Sequence, residues 1–208
     1  MSIYISDNKL IKSFLSKIRD KKSNSVVFGK NLKKVTEALV LEASKEFSLV
    51  DYKIETPIKE CVAKKLSDSI VIVPVLRAGL IMSEALSSFF EDCAVIHLGI
   101  YRNEDLNAVK YYEKIPPHID RKNSKVILCD PLIATGVTLA KALEILESNG
   151  FENIMVLSII MSEIAQKLIT EKYPNLNVYV AEIDKELNDH GYIIPGVGDA
   201  GDRLFGTK

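Results

Sequence analysis

The sequence predicts an α/β fold with a mainly parallel sheet, from three observations. Five runs are near-continuously apolar and rich in Val and Ile: SIVIVPVL (69–76), AVIHLGIY (94–101), KVILCD (125–130), NIMVLSII (153–160) and NVYVAEI (177–183). Parallel strands covered on both faces read this way, whereas a strand with one wet face alternates. Helical patterns lie between the runs, and strands alternating with helices build a parallel sheet. The tail then breaks the rhythm with a stretch rich in Gly and Asp, which predicts a loop-based lobe laid over the sheet.

The elements follow in order. Residues 31–47, NLKKVTEALVLEASKEF, make an amphipathic helix ahead of the first strand. After 125–130, Leu139, Ala142, Leu143 and Leu146 mark one apolar helix face, and Asn149-Gly150 supplies a stop. MSEIAQKLITEKY (161–173) makes a later helix before Pro174. No repeat or low-complexity segment interrupts this order.

Bulk properties narrow the class. The chain has 208 residues, 47% hydrophobic and 26% charged, which suits a soluble globular domain with a sizeable core. Net charge is −1, and no like-charge block has the length of a nucleic-acid or membrane-binding tail. The start, MSIYISDNKLIKSF, lacks the apolar core and cleavage site of a signal peptide. No apolar run approaches the roughly 20 residues of a membrane span. Cys61, Cys93 and Cys129 are far apart and odd in number, so the expectation is a reduced cytoplasmic protein without disulfide framework or zinc site.

The most informative segment is KVILCDPLIATGVTLAKALEIL, 125–146. A buried strand ends at Asp130 and a helix begins near Val137. The loop between them lies at the carboxyl end of the sheet, where α/β folds place ligands. Backbone N–H groups of Thr135, Gly136, Val137 and Thr138 at a helix start favour an anion. No Lys-Ser or Lys-Thr follows the glycine, so this is no nucleoside-triphosphate loop. What remains is a monophosphate cradle with the Asp130 carboxylate upstream, placed to bond a ribose diol. Pro131 fixes the turn after it. An ordinary strand–turn–helix capped by Thr meets the same pattern.

VPVLRAGLIM (73–82) repeats the strand–loop–helix order and puts Arg77 at a strand end beside Ala78 and Gly79. The arginine fork matches phosphate oxygens. Arg102, in IYRNED, ends another strand. Two arginines and a phosphate cradle on one sheet edge fit a ligand with two separated phosphate groups. The histidines say less: His97 reads as core filler within a strand, His118 as exposed, His190 as a helix-end or site residue. Tyr111 and Tyr112 stack on a base or pack in a flap.

The tail, YIIPGVGDAGDRLFGTK (192–208), carries Gly196, Gly198 and Gly201 at G-x-G-x-x-G spacing. A dinucleotide fingerprint also needs a following helix, a second strand and an acid about 20 residues on. Seven residues follow Gly201 here, so these glycines are expected to serve something else.

Together these segments resemble uracil phosphoribosyltransferases. VPVLRAGL, YRNE, YYEKIP, DPLIATGVT and HGYIIPGVGDAGDRLFGT look like that family's successive motifs, in its order, over roughly 60–208. The resemblance implies a phosphoribosyltransferase α/β core as a single domain over 1–208, with roughly 185–208 as a C-terminal hood. It implies transfer of ribose 5-phosphate from 5-phosphoribosyl 1-diphosphate (PRPP) to N1 of uracil, giving UMP and diphosphate. Asp130, Pro131, Leu132, Ile133, Ala134, Thr135, Gly136, Val137 and Thr138 would hold the 5-phosphate and ribose. Arg77 and Arg102 would hold the diphosphate, and with Asp130 form the catalytic set. Ile193, Gly198, Asp199 and Ala200 would form the uracil site, with Asp199 also near PRPP. Mg²⁺ would enter bound to PRPP, without protein ligands of its own. A homodimer or homotetramer is implied, with GTP as an activator in some members, and no nucleic acid or membrane partner. Two departures stand out. Val137 and Thr138 replace a usual glycine and serine, and the flap NEDLNAVKYY is one residue short and lacks the usual proline, with Ala108 in that region. A phosphoribosyltransferase for another base and a nucleotide-sensing regulator on the same fold remain alternatives.

Overall fold

The computed structural model describes residues 2–90, 92–103 and 107–207, with the backbone alone at Arg102. The chain opens with β1 (Ser2–Ile5), α1 (Lys9–Arg19) and α2 (Ser25–Ala43), the last followed by a 3₁₀ turn at Ser44–Glu46. A hairpin of β2 (Leu49–Glu55) and β3 (Glu60–Leu66) leads to β4 (Ile70–Leu76) and α3 (Leu80–Ser87). Then come β5 (Ala94–Val95), β6 (Leu98–Arg102), β7 (Ala108–Glu113), β8 (Lys125–Cys129) and β9 (Leu132–Ile133). The second half runs α4 (Val137–Ser148), β10 (Asn153–Ser162), α5 (Glu163–Lys172), β11 (Asn177–Asp184), β12 (Glu186–Leu187), β13 (Ile193–Ile194) and α6 (Ala200–Phe205).

The main sheet has the order β1-β11-β10-β8-β4-β6-β7. Every pair along it is parallel except the edge pair β6/β7, so the mainly parallel sheet read from the sequence is present. Its strands send alternate residues to two cores. Ile70, Ile72, Ile127, Leu157 and Ala181 pack under α1, α2 and α3 with Ile11, Phe28, Leu32 and Met82. Val71, Val73, Val126, Leu128, Val156 and Val178 pack under α4 and α5 with Leu139, Leu143, Leu146 and Ile169. Both faces are dry, which is why the strands read as unbroken apolar runs. Ile193, Val197 and Ala200 of the tail join the α1/α2 side.

Several boundaries differ from the sequence reading. The helix expected at 31–47 starts at Ser25, because the Asn24 side chain caps it by accepting from Val27 N–H at 3.0 Å. The helix expected at 161–173 loses its first two residues to β10, and Ser162 caps it by accepting from Ala165 N–H at 2.9 Å. The strand expected at 94–101 is two strands, both paired with β4 but interrupted at Ile96 and His97. His97 therefore sits half-buried in a break, not inside a strand. His118 and His190 are exposed. The tail is more ordered than a loop lobe: β12 and β13 pair antiparallel, and a six-residue helix opens at Ala200. Elements of two to six residues are too short to leave a periodic signal.

Gly79 fixes the approach of β4 to its loop. A Cβ there would lie 2.5 Å from Val75 O and 2.7 Å from Cys129 O, both rigid backbone. Gly79→Ala is expected to lower stability by about 2 kcal/mol through this overpacking, read as a shifted urea midpoint. Gly29→Ala, where a Cβ meets only side chains at 3.4 Å and beyond, should leave the midpoint unchanged or slightly raised.

Candidate active site

Parallel strands put every β-to-α loop on one edge of the sheet. Here the loops after β4 and β8, β6 with Tyr101, and the tail converge on one cavity of about 380 Å³. Arg77, Asp130, Pro131, Leu132, Ala134, Thr138, Ile193, Gly198, Asp199 and Ala200 all line it. Ile133, Thr135 and Gly136 line a pocket of about 20 Å³ that shares Asp130 and Thr138. The side chain of Arg102 and the flap residues 104–106 lie outside the described residues. A larger cavity, about 440 Å³, lies at the opposite edge against Leu143, Phe151, Tyr173 and Leu176. No strand delivers a carboxyl-end loop to it.

The loop after β8 is built from the backbone. Pro131 C=O accepts from Ile159 and Ile160 N–H at 3.1 Å, and Leu132–Ile133 pair with Ile160–Met161 as β9. Two of its residues thus form a short strand instead of free loop. Gly136 caps α4 at φ +83°, a left-handed conformation that favours glycine. The Thr135 hydroxyl accepts from Val137 N–H at 3.4 Å. Valine at 137 is already helical, so the departure from the family pattern meets no backbone obstacle here. Asp130 is half-buried at the mouth, and its carboxylate accepts from Leu132 N–H at 3.4 Å. Behind it, burial and then the Asp130 charge push the Cys129 thiol well up, so it stays neutral and is no nucleophile.

Arg77, after a cis Leu76–Arg77 peptide, is half exposed and faces α6. Its guanidinium donates to Asp202 Oδ1 at 3.1 Å and to Thr207 Oγ1 at 3.2 Å, and lies 6.0 Å from the Phe205 ring centroid. Thr207 in turn donates to Asp202 at 2.6 Å.

The tail presents backbone to the cavity. Ile193 is buried among apolar neighbours at the cavity wall. Gly198 has φ +76°. Asp199 caps α6, accepting from Asp202 N–H at 2.8 Å, so Ala200 and Gly201 stand at a helix start, where N–H groups lack intrahelical acceptors. Opposite, Tyr111 leans across Gly99, whose added Cβ would meet its ring at 2.6 Å, and sits 6.1 Å from the Tyr101 ring. Tyr111 therefore both packs and lines the cavity, whereas Tyr112 does not line it.

Several residues at this site went unread in the sequence. Tyr101 and Tyr192 line the cavity. Arg203 donates to the carbonyls of Ile18, Asp20, Ser23 and Val197, and stacks 4.1 Å over Phe28. Burial draws its guanidinium below the ordinary value, with Asp20 opposing. Arg19 and Asp184 form an ion pair behind the tail. Neither residue stands out in its local sequence window.

Comparison with known proteins bears on family and fold. A family model described as uracil phosphoribosyltransferase matches residues 5–207, reaching well ahead of the motifs at 60–208. A uracil phosphoribosyltransferase from Thermosipho melanesiensis is 41% identical over 210 residues, covering 100% of both chains. One from Finegoldia magna is 39% identical over 208 residues, covering 99% of each. The solved structure of a protein from Aquifex aeolicus matches with TM-score 0.93 at 34% identity, over 100% of this chain and 99% of that one. A hypoxanthine-guanine phosphoribosyltransferase from Bacillus anthracis, 14% identical with TM-score 0.52 over 77% of this chain and 80% of its own, shares the fold alone. This chain belongs to the uracil phosphoribosyltransferase family.

Proposed function

We propose that this chain transfers the phosphoribosyl group of PRPP to N1 of uracil, giving UMP and diphosphate. The observation that carries the reading is the shared cavity. The Asp130–Thr138 loop, Arg77 and the backbone of Gly198–Gly201 face one another across it. In the reaction the bond from ribose C1′ to the diphosphate oxygen breaks and the bond to N1 forms, with loss of the N1 proton. Positive charge develops on the ribose as the diphosphate leaves, so no side chain has to attack. The protein holds the 5-phosphate at the α4 start, the ribose hydroxyls at Asp130 and the diphosphate at Arg77 and Arg102.

Arg77 must leave Asp202 and Thr207 to do this. Half-exposed ion pairs contribute about 0–1 kcal/mol, so a diphosphate with several negative oxygens displaces the tail easily. The rim suits a hard cation carried by that ligand. It offers the Asp130 and Asp199 carboxylates, and among the described residues no three His, Cys, Asp or Glu cluster as a metal site of their own. When bound, Mg²⁺ offsets the charge of the leaving diphosphate.

Base choice follows from backbone polarity. Uracil offers two carbonyl acceptors and an N3–H donor; cytosine reverses the polarity at positions 3 and 4. Side-chain amides flip to suit either base, but peptide groups held in a loop do not. Each buried group left unpaired costs roughly 1–3 kcal/mol, so two mismatches discriminate by about 10²–10⁴.

A second copy of the chain is the further partner in this reading. The β2–β3 hairpin forms its own two-stranded sheet and exposes Leu49, Ile58 and Val62, the second by 90%. A two-stranded hairpin is marginal alone in water, so these side chains are assigned to a homodimer contact.

Four measurements test the proposal. Radiolabelled uracil with PRPP and Mg²⁺ should yield UMP, with purine bases giving neither IMP nor GMP; adding GTP reads activation in the same assay. Arg77→Ala should lower kcat/KM for PRPP about 100-fold, the loss of about 2.7 kcal/mol; a change confined to the uracil KM would contradict its role. Ala200→Pro removes one N–H at the first helical position, where proline fits and where Asp199 already has extended ψ 113°. It should raise the uracil KM about tenfold. Ile58→Lys with Val62→Glu should move the mass by light scattering from dimer to monomer, and an unchanged mass removes the hairpin from the contact.

A further inference from the structure

We propose that Arg19 and Asp184 are positioning residues for base recognition: their part-buried ion pair clamps the Gly196 peptide groups and so sets the aim of the base-facing backbone. The inference rests on the assignment of residues 193–201 to uracil. Neither residue is among those lining the cavity.

The geometry is a closed ring of four contacts. Arg19, the last residue of α1, donates from Nη2 to Asp184 Oδ1 at 2.7 Å and from Nη1 to Asp184 Oδ2 at 2.8 Å. The same Nη1 donates to Gly196 C=O at 3.0 Å, while Gly196 N–H donates to Asp184 Oδ2 at 3.0 Å. The Asp184 side chain is 6% exposed and that of Arg19 22%. Gly196 is thus held at its donor and its acceptor by the two halves of one ion pair. The next carbonyl, Val197, is held by Arg203 at 2.9 Å.

The clamp sits where it controls the loop. At φ +53° Gly196 folds so tightly onto Ile193 that an added Cβ would lie 2.1 Å from Ile193 O. A rotation at 196 is therefore passed to Ile193 on one side and Gly198 on the other. Backbone groups discriminate uracil from cytosine only while their direction is fixed. An anchor on the face away from the ligand supplies that direction, and a bidentate arginine–carboxylate pair is the most directional anchor available. Lysine keeps the charge but has no fork to serve Asp184 and Gly196 in one fixed plane.

Steady-state kinetics of Arg19→Lys, Asp184→Asn and Ala200→Pro, with uracil and PRPP varied separately, decide the matter. Arg19→Lys keeps the buried charge balanced, and KM does not depend on the folded fraction, so partial unfolding does not hide the result. The expectation is an uracil KM raised about tenfold in Arg19→Lys, and at least as much in Asp184→Asn, with the PRPP KM within about twofold. The preference for uracil over cytosine should fall alongside. If Ala200→Pro raises the uracil KM while both pair variants leave it unchanged, the positioning role is overturned and the base site stands. If none of the three changes it, the base-site assignment fails and takes this inference with it. A pair that lowers Tm while leaving both KM values alone is a stability element only, which also overturns the proposal.

Discussion

The functional edge of this molecule depends on the parallel pairing of β4, β8 and β10. β8 is fully buried between its neighbours, and each buried Ile, Leu or Val there contributes about 1.5–3 kcal/mol. Such a ladder does not slip, since a shift of one residue would swap the two core faces. Gly79, wedged against Val75 and Cys129 backbone, and Pro131, whose carbonyl takes two β10 N–H groups, transmit that rigidity into the loops. The loops after β4 and β8 on either side of the cavity are therefore held at a fixed separation.

The hood is fixed differently. Its strands are two residues long and its helix six, too short to be stable by propensity alone. Its order comes from side-chain contacts with the N-terminal segment. β1 pairs with β11 at the sheet edge and brings α1 across the back of the tail. There Arg203 gathers four carbonyls, and Arg19 reaches Gly196. Residues up to 185 positions apart thus meet, and the N-terminal segment braces the tail from behind the cavity.

This division explains what the sequence made legible. The central strands announced themselves because burial on both faces demands unbroken Val and Ile runs. The cradle at Asp130–Thr138 was readable because strand, glycine and helix lie within one short segment, and Arg77 for the same reason. The brace was not. Arg19 and Asp184 are ordinary charges in their local windows, and their meaning lies in a contact between distant segments. β1 gave no signal, since an edge strand of four residues with an exposed face has no buried run, whereas α1 did carry one, Ile11, Leu15 and Ile18 at i, i+4, i+7 spacing, that went unread. The split at His97 was missed because both fragments pair with the same strand, so the apolar run continues across a break in the ladder.

Helix α6 joins these two regimes, and its contacts differ in strength in a way that suits the chemistry. On one side Asp202 and Thr207 hold Arg77 through a half-exposed pair, which the diphosphate role proposed for Arg77 requires to open. On the other, Arg203 holds the end of α1 through neutral carbonyls and a stacked ring, partners with no charge for a substrate to replace. The first contact is free to change with each turnover; the second is not. A tail that must accept a flat base, release a nucleotide and keep its peptide groups aimed throughout needs this asymmetry. Were both contacts weak, the hood would lose its direction whenever Arg77 turned to the diphosphate. Were both strong, Arg77 would remain bound to the protein and the diphosphate would lose its first cation.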